Sequence, residues 1–581
     1  MKTVSIEHLT RVEGNGGVAV TIDGKVVTDV KFNIYEGPRL IERLTVGRTP
    51  DEDVSLAPRI CAICSVSHKN AVLRAMEDAL GVAVSPKVTA ARELMHMGEM
   101  IESHALHLFL LSLPDYLGYP NAVAMAGDYD REAKLGLALK QFGNHIMKVY
   151  TGRYIHGENP IIGGFGKYPE PDALREIRAR AAEFLNAAPE IAGLFCELDY
   201  PASPEAETLF ACCEPGDGSY GFWGEEILLS NGKRYPKADY TRLTNEFIVP
   251  HSYAKRSRYD GKPFSVGALA RVVNLGERFT GVVGDLYAKS FNQRWTRNPL
   301  YHNASQALEL VYCLERILEL VDRLLEEPEN PPPAERTRRD GAGTGLVEAP
   351  RGLWVHHYEV SGGLVAGSDI VTPTAMNAED IERYCQVAAQ NLLDDGKADE
   401  IRQTLGVVVR AFDPCISCSA HAVEVSHQPA CAWESELERL QREAAPLVVG
   451  VGVDDRGDDG LGPAVVRALQ VRGYEPVIAE AEWRGPDLTD GERPIVFVDA
   501  MDFGGEPGDV TLLGLRQALN HTTLSHRLLP FVGEAQDLSW VGRAYLLGVQ
   551  PGTTEPGSGM TEPVSAAVER IAAAFTADRD Q

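Results

Sequence analysis

Long apolar runs are missing from this sequence. No stretch is continuous enough to span a bilayer, and the first eight residues, Met1 to His8, lack the apolar core that a secretory signal needs. Positive charge is scarce as well. The 56 Lys and Arg stand against 83 Asp and Glu, a net charge of −27, which offers nothing to attract phosphates and excludes nucleic acid as a partner. Cysteine is sparse, ten in 581 residues, too few for a disulfide framework. What remains, 44% apolar and 24% charged residues, is the balance of a soluble globular protein long enough for more than one domain. The expected location is the cytoplasm, with no membrane partner.

The cysteines that are present come in two conspicuous pairs. Arg59-Ile60-Cys61-Ala62-Ile63-Cys64 is followed by His68, and Asp413-Pro414-Cys415-Ile416-Ser417-Cys418 is followed by His421. Four thiolates bind soft or borderline metals such as zinc, nickel and iron. A structural four-thiolate zinc site is the usual outcome of two Cys-x-x-Cys pairs. Zinc pairs normally lie within a few tens of residues of each other, however, and these are separated by most of a large domain. Spacing alone leaves both readings open.

Residues 17–35 alternate as a hairpin, with Val18, Val20 and Ile22 before a turn at Asp23-Gly24. Helices follow. Ser85-Pro86 marks a helix start, after which Leu94, Met97, Ile101, Ala105 and Leu108 recur at helical spacing. His96, His104 and His107 share that helix and read as hydrogen-bonded core residues, since four thiolates already complete a site. Further helices are expected over 134–150, within 169–200, and over 302–327. The segment Glu326 to Gly345, rich in Pro, Gly and Arg, reads as an exposed loop with neither helix nor strand.

The residues flanking the cysteines resemble the large subunit of nickel–iron hydrogenases, closest to the soluble, nicotinamide-coupled branch. The resemblance runs from about Leu9 to His421 and includes Leu9-Thr-Arg-Val-Glu-Gly14, Tyr35-Glu-Gly-Pro-Arg39, Val249-Pro-His-Ser252, Ala349-Pro-Arg-Gly352 and Val371-Thr-Pro-Thr374. It implies a mainly α domain over 1–421 with a small N-terminal β region. It implies Cys61 and Cys415 as terminal nickel ligands, and Cys64 and Cys418 as bridges to an iron that carries carbon monoxide and cyanide. Glu13, otherwise an ordinary salt-bridged Glu, becomes the carboxylate that relays protons from a thiolate. Arg351, otherwise a surface Arg, lies over the open face of the metals, with Pro373 and Thr374 around the cyanides. Asp413 and His68 orient the ligands. Glu42 is placed at a magnesium ion, with His421 near it among the metal-binding residues.

Cys196, Cys212, Cys213, Cys313, Cys385 and Cys431 form no iron–sulfur pattern. Electrons are therefore expected to leave through a separate iron–sulfur small subunit, then through flavin-containing NAD(P) diaphorase subunits, and metal-insertion accessory proteins are implied. Three positions depart from the family pattern. Ala62 replaces a Gly and puts a methyl near the metals, Asn15 replaces a His, and Ser103 stands where many relatives have Asp.

The chain continues past the point where a mature large subunit ends. Residues 422–445 read as a tail or linker ending in a helix with Leu437 and Leu440. Residues 446–581 read as a smaller α/β domain, opening with the strand Leu447-Val-Val-Gly-Val-Gly-Val453. Asp455 breaks the Gly-x-Gly-x-x-Gly that Gly450 and Gly452 begin. The domain resembles the hydrogenase maturation endopeptidase, in which Asp459, Asp499 and His526 would hold nickel transiently. Taken singly, they read as a helix cap, a strand end and a loop residue. Val453 replaces a usual Asn there. Cleavage after His421 is the implied reaction.

The overall expectation is a hydrogen-cycling enzyme. Two alternatives stand beside it and the zinc scaffold: a hydrogen sensor or unprocessed precursor with little turnover, and a structural subunit like the respiratory-complex homologues, which lack these cysteines.

Overall fold

The computed structural model describes residues 2–37, 40–244, 246–327, 329–420, 433–452, 457–475, 477–479, 493–501, 507–515, 543–553 and 558–576. Arg39, His421, Val453 and His526 lie outside the described residues. The chain divides into two compact units, Met1–Val423 and Glu424–Gln581.

The first unit opens with an antiparallel sheet in the order β1 (Lys2–Ile6), β2 (Gly16–Asp23), β3 (Val26–Ile34). Its alternation buries Val18, Val20, Phe32 and Ile34, as expected for a sheet with one covered face. Helix α1 (Pro50–Leu56) starts at a capping box between Thr49 and Glu52. Helix α2 (Ser65–Leu80) begins at the residue after Cys64 and stops at Gly81, whose φ is 64°. Helix α3 (Pro86–Ala105) is capped by Ser85 and runs on through a π-helical stretch, Leu106–Ser112.

Helix α4 (Asp130–Thr151) packs on α3 so closely that a Cβ at Gly143 would strike the carbonyl of Gly98. Helices α5 (Pro171–Leu185), α6 (Ala188–Cys196), α7 (Ala268–Leu275) and α8 (His302–Glu326) extend this layer. A second antiparallel sheet runs β4 (Gly341–Ala349), β5 (Gly352–Ser361), β6 (Leu364–Val371). Helices α9 (Pro373–Asp394) and α10 (Ile401–Ala411) follow and lead to the second cysteine pair.

Two features differ from the sequence reading. The β content of the first unit is not confined to its N-terminus: besides β4–β6, residues 211–236 form a three-stranded sheet. The loop expected over 326–345 ends early, because 341–345 are already strand β4. Glycine there is required by packing. A Cβ at Gly345 would run into the carbonyl of Ala71 on α2, so the helix sits directly on the strand, and pairing with β5 overrides the weak strand preference of Gly. The rest of the loop is exposed but tied down. Ala334 donates to Gly163 O at 3.0 Å, Arg338 to Leu80 O at 3.0 Å, and Arg336 pairs with Asp51 at 2.6 Å.

The second unit begins with helix α11 (Trp433–Glu443). Its sheet contains β7 (Leu447–Gly450), β8 (Val477–Ala479), β9 (Ile495–Ala500), β10 (Val510–Gly514) and β11 (Ala544–Val549), in the order β8-β7-β9-β11-β10. All pairings are parallel except β10 with β11. Helix α12 (Leu461–Val471) follows β7, and α13 (Glu562–Thr576) closes the unit. Trp433, Leu437 and Leu440 of α11 are buried with Val448, Val496, Leu547, Ile571 and Phe575, so this helix is part of the core of the second unit.

Candidate metal centre

The two cysteine pairs meet. Cys61 leaves the short helical turn Ala57–Ile60, Cys64 precedes α2, and Cys415 and Cys418 lie on the turn after α10. Their sulfurs are all within 4.8 Å of one another and all four residues are buried. Cys61 and Cys415 Sγ are 3.3 Å apart, Cys64 and Cys418 3.5 Å, and Cys415 and Cys418 2.7 Å. Hydrogen bonds from Cys415, Cys418 and Cys64 hold Cys61 well below the ordinary thiol range, with Arg351 adding its charge. Burial pushes Cys64 up to about 12 and raises Cys415 and Cys418. One thiolate therefore forms first, and a cation is needed to ionise the others.

The surrounding groups are fixed by long-range contacts. Glu13 runs beside Cys415 as an isolated parallel bridge, and the Ile416 amide donates to Glu13 O at 3.0 Å. The Ser417 amide donates to Glu13 Oε2 at 3.0 Å and its hydroxyl donates to Oε1. Burial raises the Glu13 pKa, the Cys61 thiolate raises it further, and the bonds from Ser417 and Cys415 oppose them. The Glu13 segment is itself pinned from the far side. Asp115 accepts from Arg11 and, at 2.6 Å, from Arg410 Nε, while Arg410 Nη1 reaches Thr10 O at 3.3 Å.

Arg351 is buried over the cluster. Its Nε donates to Asp413 O at 3.0 Å and its Nη2 to Asp413 Oδ1 at 3.1 Å. Asp413 has a left-handed φ of 48° and also accepts from Gln306 Nε2 at 3.3 Å. Thr374, at the first turn of α9 beside Pro373, accepts from the Cys415 amide at 2.9 Å. His68 is buried against Trp354, with ring centroids 3.9 Å apart. Glu99 on α3 accepts from the amides of Val66 at 2.5 Å and Ser67 at 2.9 Å. It thus caps α2 just beyond Cys64.

The donor set fits a cation with polar exogenous ligands. Arg351 Nη1 and Thr372 Oγ1 are both buried without a hydrogen-bond partner among the described residues. Orphaned donors beside four thiolates are what bound acceptors would satisfy. Glu42 sits apart from the cluster. It accepts from the Ile370 amide at 2.8 Å and pairs with Lys255 Nζ at 3.2 Å, which Glu246 also holds at 2.6 Å. An ammonium is therefore already within reach of the carboxylate expected at magnesium. Of the three departures, Ala62 is exposed on this chain, Asn15 donates through its amide and side chain to Glu36 Oε2 at 3.0 and 2.7 Å, and Ser103 is buried.

The three histidines of α3 are hydrogen-bonded within the core. Trp223 Nε1 donates to His96 Nδ1 at 2.7 Å, His104 Nε2 meets Glu309 Oε2 at 2.8 Å, and His107 lies between Gln306 and the Arg410 carbonyl. Glu309 also pairs with Arg271 of α7, as does Glu348 at 2.7 Å, all three fully buried. Sequence reasoning missed Ser417, Gln306, Glu99 and the Arg271 cluster. Only Ser417 carried a signal, its place between Cys415 and Cys418; the others come from elements distant in sequence, α3, α7, α8 and strand β4.

In the second unit, Asp459 lies on the turn Gly457–Gly460 before α12 and Asp499 near the end of β9, both largely buried. The adjacent parallel strands β7 and β9 bring them to the carboxyl edge of the sheet, where open α/β sheets bind ligands. The cap position of α12 is Gly460, one residue beyond Asp459. Its neighbour Asp458, not singled out in the sequence, accepts from the amides of Gly552 at 2.7 Å, Thr553 at 2.9 Å and Thr561 at 2.6 Å.

Comparison with known proteins agrees with the geometry of the first unit. The model of the nickel-dependent hydrogenase family matches residues 39–145 and 229–421. The alpha subunit of sulfhydrogenase 1 from Pyrococcus furiosus is 40% identical over 422 residues, covering 73% of this chain and 98% of that protein. A chain of the F420-non-reducing vhu hydrogenase of Methanocaldococcus jannaschii is 31% identical over 421 residues, covering 67% of this chain and 99% of its own length. The crystal structure of an NAD+-reducing [NiFe]-hydrogenase in its H2-reduced state superposes with a TM-score of 0.67 at 29% identity, covering 72% of this chain and all of that one. Among the described residues no helix is long and apolar enough to cross a membrane. With four thiolates gathered beside a buried arginine, and with these relatives, the chain belongs to the nickel-dependent hydrogenase family and is the catalytic large subunit of a nickel–iron hydrogenase.

Proposed function

We propose that residues 1–421 bind a nickel–iron pair through Cys61 and Cys415 as terminal ligands and Cys64 and Cys418 as bridges. The single observation that carries this reading is the gathering of four buried sulfurs within 4.8 Å. When bound, the pair supplies heterolytic cleavage of hydrogen, with carbon monoxide and cyanide on its iron.

The chain's own residues handle the proton. The Cys415 thiol hydrogen-bonds Glu13, a carboxyl whose pKa burial raises and which can take up and release a proton. The two bonds from Ser417 hold that carboxylate in place. Arg351 keeps a fixed positive charge over the thiolates, and Asp413 holds the guanidinium by two atoms. Thr374 and Pro373 shape the wall around the cyanides, and His68 orients the bridging side. Glu42 and His421 are assigned to magnesium, with Lys255 as the competing cation.

The protein partner is an iron–sulfur small subunit that takes the electrons. NAD(P)-coupled diaphorase subunits, metal-insertion accessory proteins and a cytoplasmic location complete the reading; the NAD+-reducing relative supports the coupling. The tail begins at Ala422, and the second domain is a maturation endopeptidase in which Asp459, Asp499 and His526 sense nickel and cleave after His421. The carboxyl-edge placement of Asp459 and Asp499 supports it.

Three measurements test these assignments. Metal analysis of the purified complex should find nickel and iron; zinc in their place would establish the scaffold reading. Robust hydrogen-dependent dye reduction would exclude a sensor. For the second domain, intact mass should show a fragment ending at His421 only in cells supplied with nickel. Full-length chain in both samples would mean that another peptidase acts or that the enzyme works uncut.

A further inference from the structure

His107 lies buried on the π-helical stretch that continues α3, with an oxygen at each ring nitrogen. Its Nδ1 is 2.6 Å from Gln306 Oε1 and its Nε2 is 2.7 Å from the carbonyl oxygen of Arg410. Both oxygens can only accept hydrogen bonds, and a neutral imidazole has one N–H to give. Either neutral tautomer would therefore set a bare nitrogen against an oxygen at hydrogen-bond distance, in a core where such a mismatch is costly. Two protons on the ring satisfy both oxygens, and the short distances are those of bonds from a charged donor. Turning the Gln306 amide over trades one mismatch for another. Gln306 Nε2 donates to Asp413 Oδ2 at 3.3 Å, and Asp413 is ion-paired with Arg351 at 3.1 Å. Reversal would put the amide oxygen against a carboxylate oxygen of that pair, two acceptors with no proton between them.

We propose that His107 is held as an imidazolium and acts, through Gln306, as a positioning residue for the hydrogenase reaction: its charge fixes the Gln306 amide, the amide holds Asp413, and Asp413 holds Arg351. The inference rests on the placing of Arg351 over the metal pair. Asp413 is gripped at three atoms, Oδ2 by Gln306, Oδ1 by Arg351 Nη2 and the carbonyl oxygen by Arg351 Nε. Its backbone is left-handed, with φ 48°, a conformation that a non-glycine residue keeps where its neighbours hold it. Cys415 follows two residues later. A loosened amide would free both the guanidinium and the turn that presents this cysteine.

The charges around the ring come from three elements. Beyond the Arg410 carbonyl, the guanidiniums of Arg410 and Arg11 share the carboxylate of Asp115. On α8, His302 is pushed down to about 3, by burial first and then by the charges of Arg271 and His107. His302 is thus the neutral ring beside a charged one. Asp413, on the far side of Gln306, offsets the charge on His107.

The test uses the metal-loaded protein together with its small subunit, labelled with nitrogen-15 at histidine. The ring signal that disappears in His107→Gln should show both nitrogens protonated at neutral pH in the parent. Gln306→Glu keeps an oxygen toward His107 but loses the donor to Asp413. It should retain both ring protons and lower hydrogen turnover by about ten- to a hundredfold. Gln306→Leu offers no acceptor, so its His107 should carry one ring proton, with turnover lowered alike. A residue that served packing alone would not make the ring protons differ between these two variants. If His107→Gln fails to fold, the signal is identified by that difference. A single proton on His107 in the parent would overturn the proposal, and so would parent-level turnover in both Gln306 variants. Nickel and iron content of the same samples tests the metal assignment separately.

Discussion

Ser417 holds Glu13 twice, by its amide at 3.0 Å to Oε2 and by its hydroxyl to Oε1. A residue between two of the four clustered cysteines thereby fixes the carboxyl that lies beside Cys415. The arrangement joins the cysteine loop and the proposed proton acceptor as one unit.

Replacing Glu13 by Gln keeps the size and one acceptor but removes the exchangeable proton. Hydrogen turnover should fall by about a hundredfold or more, while nickel and iron content stay at the parent level. Loss of metal in step with activity would show instead that Glu13 only shapes the loop.

Arg271 is fully buried between Glu309 and Glu348. Arg271→Met leaves two carboxylates without their cation and should destabilise the first unit by about 3–5 kcal/mol. Chemical denaturation followed by tryptophan fluorescence checks it. A change within error would mean that the carboxylates find protons at little cost.

Leu440 of α11 is fully buried in the core of the second unit. Leu440→Ala should destabilise that unit by about 2–5 kcal/mol and leave the unfolding of the first unit where it was. Calorimetry resolves the two transitions. An unchanged second transition would make α11 a dispensable tail.

The Asp53 carboxyl titrates near 3.8 in an unfolded chain and at about 8 in the folded one. Between those values the folded form keeps a proton that the unfolded form has lost. Its contribution to stability is complete below the lower value and is lost as pH rises through the upper one. The denaturation midpoint should therefore fall across this window more steeply in the parent than in Asp53→Asn. Parallel slopes would place Asp53 in contact with water.

The four-cysteine cluster was legible because cysteine is rare here and its spacing is local. Cys61 and Cys64, and Cys415 and Cys418, announce themselves as pairs, and Ser85 and the Asp23-Gly24 turn mark element ends through backbone chemistry alone. The three histidines of α3, read from the sequence as hydrogen-bonded core residues, are hydrogen-bonded within the core. Strand β4 was hidden, because Gly341, Gly343 and Gly345 are there for the approach of Ala79, Ala75 and Ala71 of α2 and carry no strand signal of their own.

The sequence by itself determined the four thiolates, the hairpin, the long helices and the change to an α/β pattern after residue 446, since each rests on side-chain period or on neighbours a few positions apart. Only the tertiary structure decided that Ser417 grips Glu13, that Glu99 caps the helix after Cys64, that α11 belongs to the second core, and that Asp53 is sealed without a partner among the described residues. Those contacts join residues up to 404 positions apart, and their energy depends on burial and distance, which no local pattern encodes.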